Sequence, residues 1–283
     1  MMPPRGYLLC CIERTGSNLL AQALAGTGVA GRPREYFNPV EPKNPWLRDI
    51  LGDATLADGL PKILSAGTTP NGWFGAKVHW SHFQHLGMSI NGDWDDWRRR
   101  VALHEVRRAR LAEFRSRATA PEMLRRRSLD LRTMATAYAS LRSRIPDLRI
   151  IWLKRQNMVA RAISHFRAQR TGLWHHPASE SSAVPSHRPC NFDFGEIRIL
   201  YWHGAFQEEL WQRFFQKHDI VPHCVIYEEF VADYESTVRG VLKFLNIHVE
   251  KMLIPAPATL KQSDALSEEW EERYRKLSAE AEI

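Results

Sequence analysis

No run of this chain approaches the roughly 20 consecutive apolar residues that a membrane-spanning helix needs, so no membrane span is read from it. The first residues carry one Arg and a short apolar run without a cleavage site of the usual type, so no secretory leader is read there. Cysteine is scarce. The four present, Cys10, Cys11, Cys190 and Cys224, show neither metal-ligand nor redox-motif spacing. A reduced, cytoplasmic setting is the simpler expectation. Carboxylates and histidines form no cluster with metal-binding spacing, and His175 and His176 read as loop residues, so no metal is expected. Also missing is the Gly-Lys-Ser/Thr ending of the nucleoside triphosphatase phosphate loop. A kinase-like reading loses its main support with it.

What is present is an ordinary soluble composition. An apolar fraction of 44% and a charged fraction of 25% in 283 residues allow a sizeable core. The net charge of +7 suits an anionic ligand, an anionic membrane surface or nucleic acid, without choosing among them. The positive charge is uneven. Residues 91–128 hold Arg98, Arg99, Arg100, Arg107, Arg108 and the run Arg125-Arg126-Arg127. Leu103, Val106, Arg110 and Phe114 share one helical face there, which makes a thinly apolar amphipathic helix. We read a basic helical insertion at about 88–128 within a single domain spanning 1–283. It is a solvated face, an arm against a second subunit, or a peripheral contact with an anionic membrane. No nucleic-acid motif accompanies the charge, so nucleic acid is not expected as a partner.

The organising stretch is Tyr7 to Leu20. Tyr7 to Ile12 is an uninterrupted apolar run, the mark of a strand covered on both faces. Arg14, Thr15, Gly16, Ser17 and Asn18 form a polar turn, with Gly16 free to take a backbone angle other residues avoid. Leu19, Leu20, Ala23 and Leu24 then recur at helical spacing. The helix directs its N–H groups and positive dipole end back at the turn, an anion site to which Arg14 adds a fixed charge.

Further strands are read at Trp73–Val78, Arg149–Leu153 and Cys224–Tyr227, with helices between them. The second ends beside Lys77, His79 and Trp80. The third runs into Lys154-Arg155-Gln156-Asn157 and a helix bearing Val159, Ile163 and Phe166, which repeats the opening logic. Ser164 lies on that helix, and a bond to its own backbone is the plain alternative to a ligand contact. One helix is expected over 228–245, and a last one opens at Ser267-Glu268-Glu269. The alternation argues an α/β fold with a mainly parallel central sheet flanked by helices, its ligands at the carboxyl ends of the strands.

Several stretches in order then resemble one family, the bacterial trehalose 2-sulfotransferase type of sulfotransferase. They are Glu13 to Leu20, Gly31 to Phe37, Asn71 to Lys77, Arg155 followed by Ser164, and Ser267 to Tyr274. The resemblance covers nearly all of the chain outside about 88–128 and the loop after His176. It implies a three-layer P-loop-like fold and transfer of a sulfuryl group from 3′-phosphoadenosine-5′-phosphosulfate (PAPS) to a carbohydrate or glycolipid hydroxyl. It implies that Arg14 to Asn18 hold the 5′-phosphosulfate, that Arg155 and Ser164 hold the 3′-phosphate, and that Glu35 is the base. Lys261 stands where the family carries an Arg before its C-terminal Gln-Ala-Asp. A homodimer with its acceptor site near the dimer contact is implied as well.

The residues support that chemistry on their own terms. A sulfuryl group carries less charge than a phosphoryl group, so no metal is needed. The attacking hydroxyl must lose a proton to a base within reach. Glu35 sits in a Pro-flanked segment soon after the anion turn, and its neighbours Tyr36 and Phe37 are expected to desolvate it and raise its pKa. Arg14, the turn's N–H groups and Lys77 would stabilise the leaving phosphate. Glu35, Tyr36, Phe37, His79, Trp80 and Trp174 are the candidate acceptor contacts; Trp80 and Trp174 either stack on a sugar face or pack in the core. Two readings of other classes stand beside this one, a small-molecule kinase and a non-catalytic binder of anionic ligands or surfaces.

Overall fold

The computed structural model describes residues 5–38, 45–92, 131–174, 190–248, 253–257 and 264–281. The Arg-rich stretch from 93 onward, Lys261 and the loop after Trp174 lie outside the described residues. Four strands, β1 (Arg5–Cys11), β2 (Trp73–His79), β3 (Asp147–Lys154) and β4 (His223–Ile226), form one parallel sheet in the order β2-β1-β3-β4. Register is direct, with Arg5 opposite both Trp73 and Asp147. Between β1 and β2 run α1 (Ser17–Gly26), α2 (Pro45–Leu51) and α3 (Leu60–Gly67). Then come α4 (Trp80–Ile90) and α5 (Leu131–Arg144) before β3, and α6 (Met158–Thr171) and α7 (Phe194–Lys217) before β4. The chain closes with α8 (Tyr227–Ala232), α9 (Tyr234–Phe244) and α10 (Ala265–Ala281).

Successive strand side chains point to opposite faces, and β1 is apolar at every position from Tyr7 to Cys11. Leu8, Cys10 and Ile12 enter a core with Phe83 and Leu86 of α4, Met134 and Leu141 of α5, and Trp211 and Phe214 of α7. Tyr7, Leu9 and Cys11 enter the opposite core with Leu20 and Leu24 of α1 and Val238 and Val241 of α9. A helix layer therefore covers each face of the sheet, which is why β1 reads as an unbroken apolar run. A third cluster joins Val159, Ile163 and Phe166 of α6 to Trp270 and Tyr274 of α10.

Two helix boundaries differ from the sequence reading. The helix expected over 228–245 is two, because Asp233 leaves helical geometry at φ −136° and caps α9 through the Ser236 N–H. The last helix opens at Ala265, before Ser267. Asp264 accepts from the Ser267 N–H at 3.0 Å and pairs with Arg167 of α6 at 2.6 Å. Asp264 thus caps α10 and ties it to α6.

The chain leaves β1 toward β2 on one side and returns to β3 on the other. The strand order therefore reverses beside β1, and the carboxyl end of β1 opens into a crevice.

Candidate active site

The β1–α1 turn is wound tightly. Arg14 has φ +67° and Gly16 φ +83°. A non-glycine residue in left-handed geometry is uncommon and costs on the order of 1–2 kcal/mol. At Gly16 a Cβ would run into the Tyr227 ring as well. Thr15, fully buried, donates to the Ile12 carbonyl at 2.8 Å and closes the turn from inside. No side chain caps α1, whose first turn begins at Ser17.

Two guanidiniums meet at this turn. Arg14 Nε donates to Ser164 Oγ at 2.9 Å, and its Nη1 donates to the Trp174 carbonyl at 2.5 Å. The Ser164 side chain therefore faces the turn. Arg155 Nη1 donates to the Arg14 carbonyl at 3.1 Å, and its guanidinium lies over the Tyr227 ring at 4.6 Å. Its Nε is buried without a hydrogen-bond partner among the described residues, 4.0 Å from Glu228. Burial pushes the Arg14 pKa down to about 10, and repulsion from Arg155 adds to it. Two desolvated cations side by side favour an incoming anion. Glu228 itself accepts from the Gln156 and Asn157 N–H groups at 3.0 Å, which locks the β3–α6 turn to the end of β4.

A second group faces the same turn from β2. Lys77 Nζ lies 2.6 Å from Glu35 Oε1 and also donates to Asn18 Oδ1. Glu35 Oε2 accepts from Asn38 at 3.0 Å. The backbone explains the meeting. Arg34 bridges Ala76 in parallel, and the Lys77 N–H donates to the Arg34 carbonyl at 3.0 Å, so Glu35 is carried beside Lys77. Asn18, Gln22, Arg34, Glu35, Trp46 and Lys77 are among the residues lining a cleft of about 600 Å³.

The expected rise in the Glu35 pKa is reversed here. Burial does push the carboxyl up, but Lys77, with His79 and His82 behind it, outweighs burial and holds it well below the usual carboxylate range. Tyr36 and Phe37 do not contact an acceptor space, being 1% and 0% exposed. Tyr36 packs on Trp46 and Phe74, and its hydroxyl donates to the Arg32 carbonyl. Trp80 likewise points into the core, its ring 5.1 Å from Trp211. Of the candidate aromatics, Trp174 stands near the turn, edge-on to His165 at 5.8 Å.

Sequence reasoning missed Tyr227 and Glu228, although they follow a strand end as Arg155 does. It also missed Arg161, which is fully buried and donates to the Glu13 and Leu200 carbonyls, fastening the turn to α7. His79 pairs with Glu13 at 3.7 Å and stacks on His82 at 4.7 Å.

Those histidines set a pH dependence of stability. Burial pushes His85 down to about 4 and His165 to about 3, and pushes His82 well down. The unfolded chain, with an ordinary His pKa of about 6.5, then binds more protons than the folded one below that pH. Stability from keeping these rings neutral is complete above about pH 6.5 and is lost as pH falls toward their folded values. His79 acts the other way. Burial disfavours its charged form, but Cys11 and Glu13 outweigh that and raise its pKa, so its contribution is lost as pH rises through the folded value. Urea midpoints should therefore drop between about pH 7 and about pH 5. Equal midpoints would show that the loss from these three rings does not outweigh the opposite contribution of His79.

Known proteins bear on this arrangement directly. The sequence model of the Stf0 sulphotransferase family matches residues 6–96 and 117–277. The chain belongs to the Stf0 sulphotransferase family. The matched span contains the β1–α1 turn, Glu35, Lys77, Arg155 and Ser164, and passes over 97–116, inside the Arg-rich stretch. A trehalose 2-sulfotransferase of Mycolicibacterium smegmatis is 26% identical over 298 aligned positions, covering 96% of this chain and 95% of its own. Another, of Mycobacterium tuberculosis, is 26% identical over 288, covering 96% of this chain and 94% of its own. Membership makes this P-loop-like protein a sulfotransferase, and both relatives act on a carbohydrate. Among the described residues no group of three or more His, Cys, Asp or Glu could hold a metal ion, and no helix is long and apolar enough to cross a membrane.

Proposed function

We propose that this sulphotransferase moves a sulfuryl group from PAPS to a hydroxyl of a carbohydrate or glycolipid acceptor, without a metal, and that Glu35 is the base. The observation that carries this reading is the Asn18–Lys77–Glu35 contact, which puts a carboxylate and an ammonium at the lip of a two-arginine anion turn. Arg14 and Arg155, desolvated and mutually repelling, suit the phosphate groups of the donor. Ser164 adds a hydroxyl beside Arg14. The trehalose-acting relatives make a disaccharide the first acceptor to try.

In the reaction, the acceptor oxygen forms a bond to sulfur as the bond from sulfur to the donor's phosphate oxygen breaks. The hydroxyl proton goes to Glu35. The electron pair of the broken bond stays on the phosphate, whose added charge Arg14 and Lys77 stabilise. A carboxylate held as low as Glu35 is a weak proton acceptor while Lys77 grips it. The donor's sulfuryl oxygens compete for that ammonium, and Glu35 gains basicity as the grip loosens.

Calorimetry with 3′-phosphoadenosine-5′-phosphate in the presence of a chelator tests the donor assignment. The wild type should bind. Arg155→Ala should bind about 10- to 100-fold more weakly, the worth of one charged hydrogen bond. No binding by the wild type, or binding that needs magnesium, would overturn the reading and favour a kinase.

A further inference from the structure

Two successive carbonyls of the anion turn are each held by an arginine. Arg155 Nη1 donates to the Arg14 carbonyl at 3.1 Å, and Arg161 Nη1 donates to the Glu13 carbonyl at 3.3 Å. Each bond fixes a planar peptide unit, Glu13–Arg14 on one side of Arg14 and Arg14–Thr15 on the other. Arg14 lies between them in left-handed geometry at φ +67°. A strained backbone persists where its surroundings over-determine it, and here both flanking peptides are pinned.

Arg155 has a place in the donor site already. Arg161 does not, and its surroundings are unfavourable to a cation. It is fully buried, and its Nε has no hydrogen-bond partner among the described residues. It stands in the first turn of α6, next to the positive end of the helix dipole, in a turn that holds no acid. Burial pushes its pKa down to about 10. The fields of Glu13 and Glu208 oppose that push, and the field of Arg155 adds to it.

The facing helix is cut to receive it. Arg161 Nη2 donates to the Leu200 carbonyl of α7, and Gly204, one turn on, leaves the space for the guanidinium. A Cβ at Gly204 would overlap Nη2, Cζ and Nε of Arg161. Glycine inside a helix is destabilising relative to alanine, so a packing reason is expected for it, and Arg161 is that reason. A buried charge is costly unless opposite charge answers it. The group that answers this one is an anion at the turn.

We propose that Arg161 is a positioning residue for the donor: from beneath the turn it pins the Glu13 carbonyl, and its charge joins those of Arg14 and Arg155 in drawing phosphate groups. Being fully buried, it presents no surface to a ligand. Gly204 is its socket. The proposal rests on the sulfuryl-transfer reading and extends the donor site to a residue that does not touch the donor.

The test is calorimetry on the full chain with 3′-phosphoadenosine-5′-phosphate, which has two phosphates, and with adenosine 5′-monophosphate, which has one. Arg161→Met should weaken binding of the first about tenfold or more, the equivalent of one charged hydrogen bond. Its loss for the second should be about half as large on a logarithmic scale. Arg161→Lys keeps the charge and should lose less than Arg161→Met for both. Gly204→Ala displaces the guanidinium from outside the site and should weaken bisphosphate binding about threefold or more. Melting followed by circular dichroism certifies that each variant folds. Should Arg161→Met fail to fold, Gly204→Ala decides alone. Wild-type affinity in the folded variants overturns the proposal, and so does a loss equal for both nucleotides, the mark of a packing role. Either result leaves the sulfuryl-transfer reading standing. Failure of the wild type to bind the bisphosphate sinks that reading and the proposal with it.

Discussion

Glu35→Gln should leave binding of 3′-phosphoadenosine-5′-phosphate unchanged and lower acceptor sulfation by about 10²–10⁴-fold, the usual worth of a positioned general base. The substitution keeps size and shape. Gln can still accept from Lys77 through its oxygen, while its amide NH2 faces Asn38, whose side-chain amide must turn to present its oxygen. What disappears is the proton acceptor. The loss should fall on kcat with little change in the donor's KM, because the carboxylate is held by Lys77 and Asn38. A variant that transfers sulfate at the wild-type rate would remove Glu35 from the mechanism and point to another base.

Lys77→Ala should be nearly as costly and should change the pH profile as well. Removing one donor aimed at developing charge costs about 10²–10³-fold in rate. The second effect follows from the Glu35 environment. In the wild type Lys77 is the largest force opposing burial, and it holds the carboxyl low. Glu35 is then ionised across the ordinary pH range and contributes no acid limb. Without Lys77, burial pushes its pKa upward, and the ionised, proton-accepting form is lost as pH falls. The kcat/KM profile of the variant should therefore gain an acid limb that the wild type lacks. A profile that keeps its shape while the rate drops would mean that Lys77 acts on the donor alone.

Much of the fold was legible because β1 is buried on both sides and the later strands alternate with helices. Leu8 and Leu9 face opposite cores, so no polar position interrupts the run. The turn was legible as well, since a polar, glycine-bearing stretch between an apolar run and a helical pattern has few other meanings. The Lys77–Glu35 contact was not. Forty-two positions separate the two residues in sequence. What joins them is the register of β2 beside the Arg34 bridge, which no local pattern encodes. The pKa expectation for Glu35 failed for the same reason. Tyr36 and Phe37 are its neighbours in sequence, yet the chain turns both rings into the core and leaves the carboxyl to Lys77. For Trp80 the core-packing alternative holds: it follows a strand end, where ligands gather, but its helix faces it toward Trp211. The break at Asp233 was hidden because Phe230, Tyr234 and Val238 keep helical spacing across it.

The place of β1 in the sheet has a kinetic side. Its backbone is paired to β2 along one edge and to β3 along the other. β4, four residues long, is paired to β3 and carries an exposed Cys224. Amide protons of β1 should then exchange with solvent only through global unfolding, whereas those of β4 can escape through local fraying. The two walls of the anion turn therefore belong to different stability layers. Arg14 and Gly16 are anchored to the slowest-opening strand, and Tyr227 and Glu228, which brace Arg155, hang from the one that opens first. Nucleotide that bridges Arg14 and Arg155 would couple the layers, and its signature would be slowed exchange in β4 with little change in β1.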